Sequence, residues 1–144
     1  LGGSGGSIGY DGISPCIAIE VDIEKQVEVD LPTPHLAVMS GCHHEKHGVS
    51  SSDLGGDPTD GADWILSVDW NRVNHMLEVR LRRLDTSDEP TVLSAPIDLV
   101  QLLGARAFVL VSAATGDLSA THSVRTLHVK GGGLGARTLE NPAF

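Results

Sequence analysis

The alternation in Cys16-Ile17-Ala18-Ile19-Glu20-Val21-Asp22 constrains this chain more than any other stretch. With a period of two, Ile17, Ile19 and Val21 share one face of a strand, while Ala18, Glu20 and Asp22 share the other. His35-Leu36-Ala37-Val38-Met39 repeats the alternation, and Pro32 and Pro34 in the connection stop the chain from running on as one element. An antiparallel hairpin is the economical arrangement. It brings the Glu20 and Asp22 end of the first strand to the His35 end of the second, with Asp30 in the loop between, so three carboxylates and an imidazole are expected to converge. Hard divalent cations take carboxylate oxygens, and an imidazole nitrogen suits manganese or zinc. The other reading is a solvated acidic strand edge beside a histidine. In the register that sets Asp22 opposite Leu36, Cys16 stands opposite Cys42 near the open end, as a cross-strand disulfide or as two separate thiols.

Apolar runs with the same period recur at 16–23, 35–40, 64–70, 76–84, 107–112 and 123–129, which predicts an all-β fold, an antiparallel β-sandwich of the jelly-roll type. The run at 107–112 is apolar on both faces, as the centre of a sandwich would be. Residues 97–104 have helical spacing for about two turns and a glycine stop, so one short helical turn is expected. Residues 40–63 and 85–96 read as loops. The first of these holds Cys42, His43, His44 and His47, which match no standard structural zinc spacing and read as surface histidines. Residues 1–15 are rich in Gly and Ser, the composition of a flexible linker, yet Ile8, Tyr10 and Ile13 interrupt the tract where a folded loop would place anchors.

A chain of 144 residues is long enough for one domain with a core. Its net charge of −9 argues against nucleic acid, whose phosphates demand clustered Lys and Arg. Arg80, Arg82 and Arg83 lie in a strand pattern and read as a solvated face. No apolar run approaches the roughly 18 residues of a membrane span.

Four features occur in an order that resembles the L-type (legume-type) lectins, a concanavalin-like family: the run Gly5 to Tyr10, the strand Ile17 to Asp22, the spacing from Asp30 to His35, and the block Ser112 to His122. The resemblance implies a carbohydrate-binding domain over residues 1–130, followed by a Gly-rich tail or linker at 131–144. It implies that Glu20, Asp22, Asp30 and His35 hold manganese, with the two aspartates sharing an adjacent calcium. It further implies that backbone N–H groups at Gly6 and in the loop Gly116, Asp117, Leu118 meet the sugar, that the partners are glycans or glycoconjugates, and that the setting is secreted, cell-surface or luminal. The chain departs from the family pattern at Gln26, where the family supplies an Asn to calcium, and at Glu24, where it usually has an aromatic residue. The family's opening strands are not recognised in this chain, so an exposed sheet and self-association through it are expected.

Two other functions fit parts of the pattern. One is a degenerate sandwich serving as a structural or interaction module of a larger protein. The other is a glycoside hydrolase, since Glu20-x-Asp22-x-Glu24 also resembles the signature of laminarinase-like enzymes, with Glu20 as nucleophile and Glu24 as acid/base. Retaining hydrolysis needs carboxyls about 5 Å apart. Residues i and i+4 of a strand have Cα atoms about 13 Å apart, and only 3% of the residues are aromatic, which leaves little to line a sugar cleft.

Overall fold

The computed structural model describes residues 2–3, 7–24, 34–42, 47–115, 119–131 and 134–140. Three strands, β1 (Ile17–Asp22), β2 (His35–Ser40) and β3 (His47–Ser51), form one antiparallel sheet in that order. A second antiparallel sheet holds β4 (Trp64–Asn71), β5 (Met76–Arg83) and β6 (Thr91–Pro96). A five-residue helix, α1 (Leu99–Leu103), follows, and then the hairpin of β7 (Thr126–Gly131) and β8 (Leu134–Glu140). The chain is thus built of strands in antiparallel sheets with one short helix, an all-β sandwich.

The sandwich core lies between the first two sheets. Leu36 and Val38 of β2 meet Leu77, Val79 and Leu81 of β5 and Leu93 and Ala95 of β6, with Leu54 closing one end. Each of the leucine and valine side chains contributes about 1.5–3 kcal/mol on burial. Strand β5 shows the alternation cleanly, because Leu77, Val79 and Leu81 are buried while Glu78, Arg80 and Arg82 face outward. Outward Arg80 pairs with Asp69 and Glu78, and Arg83 pairs with Asp60 and Asp85. Trp64 and Trp70 pack against the same core, and the Trp70 indole donates to the carbonyl of Ile97 at 2.9 Å. That bond places the start of α1. Asp98 caps the helix by accepting from the N–H groups of Val100 and Gln101, and Gly104 ends it at φ 81°.

Several expectations are corrected. Strands β3 and β6 occupy stretches read as loop, and β8 occupies part of the expected tail. Residues 107–112 do not form a strand: Phe108, Val109, Leu110 and Val111 are exposed, and no described strand runs beside them. A strand apolar on both faces needs a layer on each side and a neighbour for its backbone, and the described residues supply neither. The strand expected at 123–129 runs over Thr126–Gly131, and β8 follows it where no further strand was expected.

The register of the first hairpin also differs from the one expected. Asp22 stands opposite His35 and Ile17 opposite Ser40, one residue away from the register with Asp22 opposite Leu36. The slip matters because side-chain direction reverses with every residue. Cys16 and Cys42 are nevertheless joined, with Cα atoms 5.6 Å apart. The backbone absorbs the extra residue at the end of β2, where Gly41 and Cys42 take φ values of 81° and 51° and the Gly41 N–H donates to the carbonyl of Cys16 at 3.0 Å. This left-handed pair turns Cys42 back over the outer face of the sheet.

Candidate metal centre

Strand β2 lies at the centre of its sheet and buries both of its faces. Leu36 and Val38 enter the sandwich core, while Ala37 and Met39 join a second, smaller cluster with Tyr10 and Cys42 on the other side. Ala18, Cys16 and Ile8 pack against that cluster. By register, Ala18, Glu20 and Asp22 of β1 and His35, Ala37 and Met39 of β2 share this second face. The cover over it is the loop from Ser7 to Ile13, which folds through turns at Gly9 and Gly12. Gly9 has φ 75°, and a Cβ there would lie 3.0 Å from that of Ser112. Ile8 and Tyr10 are thus anchors of a folded loop.

At the open end of this face, Glu20, Asp22 and His35 each offer one ligand atom, and these atoms lie within 4.8 Å of one another. Glu20 is 3% exposed and His35 is fully buried. His35 Nε2 stands 3.2 Å from Glu20 Oε1, and the Tyr10 hydroxyl donates to Glu20 Oε2. Burial, and next the hydrogen bond to Glu20, push the Tyr10 phenol far above its ordinary range, so it stays a neutral donor. Asp22 is half-buried, and its Oδ1 accepts the N–H of Glu24 at 2.9 Å, which turns the chain at the end of β1.

Two carboxylates and an imidazole form a mixed oxygen and nitrogen donor set, the chemistry that transition metals such as manganese accept. Three of the four expected ligands therefore converge; Asp30 lies outside the described residues, as do Gln26, Gly6, Gly116, Asp117 and Leu118. In the sequence Tyr10 reads as an anchor of a folded loop and as the end of the Gly-rich run. Its role on Glu20 had no signal there, since the two residues meet only when the loop folds over the sheet.

A model of the legume lectin domain matches residues 11–134. The chain belongs to the legume lectin domain family. This lectin domain therefore has a carbohydrate-binding role, and its family is non-enzymatic. Family membership removes the hydrolase reading, and the geometry agrees. Glu20 points into a buried cluster, whereas Glu24 lies beyond the end of β1. Legume lectin domains generally bind calcium and manganese, and the Glu20, Asp22 and His35 cluster is the group among the described residues that fits such an ion. Domains of this family are typically secreted or extracellular, and no described helix is long and apolar enough to cross a membrane.

Proposed function

We propose that this domain binds glycans in a metal-dependent manner, with Glu20, Asp22 and His35, joined by Asp30, as the ligands of a manganese ion and with the two aspartates shared by an adjacent calcium. The observation that carries this reading is the convergence of three ligand atoms within 4.8 Å, two of them on buried side chains. When bound, the cations would neutralise the carboxylates and fix the connection between β1 and β2. This chain's own residues do the rest. Asp22 and His35 hold the two ends of that connection opposite one another, and Tyr10 holds the covering loop against Glu20. Backbone N–H groups near Gly6 and in the loop of Gly116, Asp117 and Leu118 then meet sugar hydroxyls. The proposed setting is secreted, cell-surface or luminal.

The test is a glycan array probed with metal-loaded protein and again after stripping with a chelator. Binding to at least one glycan class, lost on stripping and restored by manganese plus calcium, is expected. Binding unaffected by the chelator would overturn metal dependence. A structural module is the second reading, and one observation favours it: both oxygens of Glu20 already have protein partners. An array blank under every metal condition would establish that reading instead.

Self-association belongs to the same proposal. Leu66 and Val68 lie on the core-facing side of β4 by register with Leu81 and Val79, yet they remain 44% and 47% exposed. Together with the exposed run Phe108 to Val111 they leave apolar surface without cover among the described residues. Sedimentation velocity should show reversible association as concentration rises, and Leu66→Lys should weaken it. A sedimentation coefficient independent of concentration would count against it.

A further inference from the structure

Tyr10 occupies a position that the carbohydrate-binding role does not explain. Its hydroxyl donates to Glu20 Oε2, while His35 Nε2 stands 3.2 Å from the other oxygen, Oε1. The loop that carries Tyr10 is held on several sides. The N–H groups of Tyr10 and Asp11 donate to the carbonyl of Ser7, the Gly12 N–H donates to the carbonyl of Cys42 at 3.3 Å, and Ser112 Oγ donates to the carbonyl of Ile8 at 2.8 Å. The ring itself is packed with Ala37, Met39 and Cys42. A phenol fixed in this way cannot follow the carboxylate, so the carboxylate is aligned to the phenol.

We propose that Tyr10 is a positioning residue that reserves one oxygen of Glu20, so that this carboxylate presents a single oxygen to a cation and the site favours manganese over calcium. The inference rests on the metal-dependent reading above. Its physical basis is coordination number. Calcium takes six to eight oxygens and commonly uses both oxygens of a carboxylate, whereas a site with an imidazole and single-oxygen carboxylates suits a transition metal. A partner that orients a ligand without touching the metal typically changes affinity by about 10–100-fold when removed.

The experiment follows manganese binding to metal-stripped protein by the paramagnetic resonance signal of free manganese, and then finds the calcium concentration that displaces it. In the Tyr10→Phe protein, manganese affinity should fall by about tenfold or more, and calcium should displace manganese at a correspondingly lower concentration. A purely structural role would weaken both ions together, so an unchanged ratio of the two affinities would overturn the inference while leaving the metal site standing. Failure of the unmodified protein to bind manganese would remove both. A second measurement needs no variant. Tyr10 is the only tyrosine in the chain, so the tyrosine doublet in an ultraviolet Raman spectrum reports this phenol alone. It should show a strong hydrogen-bond donor both before and after manganese is added, and loss of the donor signature on loading would overturn the proposal.

Discussion

Removing the bond between Cys16 and Cys42 should lower the stability of the domain by about 3–4 kcal/mol and its melting temperature by on the order of 10 °C. The two residues are 26 apart in sequence, and a loop of that length, once open, returns its closure entropy to the unfolded chain. The position makes the effect local as well as global. Cys42 accepts the Gly12 N–H through its carbonyl and packs beside Tyr10, so the loop over the second cluster loses an anchor when the bond opens. Calorimetric melting with and without reductant, repeated on a Cys16→Ser, Cys42→Ser double variant, measures this. A loss below about 1 kcal/mol would show that strand pairing alone holds the hairpin in register.

Asp22→Ala should abolish the rise in melting temperature that manganese and calcium confer on the unmodified domain. A cation that binds only the folded state stabilises it by about 2.7 kcal/mol at a hundred times its dissociation constant, which is the shift at stake. Asp22 stands directly across from His35 and shares a face with Glu20, so its loss removes the ligand that closes the triangle. Without metal the variant should melt close to the unmodified protein. Less repulsion from Glu20 offsets the lost acceptor for the Glu24 N–H. Equal metal-induced shifts in the two proteins, read by scanning fluorimetry, would sink the assignment of Asp22.

The strands that the sequence revealed are those that bury one face against the core and wet the other. Strand β5 does so, and its position follows from the alternation directly; β1 and β2 alternate in sequence as well, although there both faces meet a cluster. Strand β3 reads His-Gly-Val-Ser-Ser, with Val49 its one large apolar side chain, and lies at the edge of its sheet, so pairing with β2 defines it and not its own pattern. Strand β6 is framed by Pro90 and Pro96, which looked like loop punctuation, although edge strands tolerate proline. The run at 107–112 failed in the other direction, since apolar residues specify a strand only when something covers them. The candidate site was legible as spacing, and the family as a resemblance of four motifs in order, of which that spacing is one. The register was not. Setting Asp22 against Leu36 aligned the cysteines but would have sent His35 to the face opposite Glu20, because one residue of slip inverts every side chain. The turn at Gly41 and Cys42, which reconciles the disulfide with the observed register, is a backbone conformation that residue spacing does not encode.

Strand β2 spends its residues on two tasks at once, with Leu36 and Val38 sealing the sandwich while His35 joins the candidate metal centre and Ala37 and Met39 build the apolar cluster on the same face. The two tasks interleave at every second position, so they cannot drift apart. Inserting or deleting one residue here would carry the histidine into the core and leucine into the ion site in a single event. Divergence among descendants of this chain should therefore be substitution-only within β2 and free in length on the connections either side of it. New sugar preferences would come from those connections, and the strand would pass between lineages as an unbroken block.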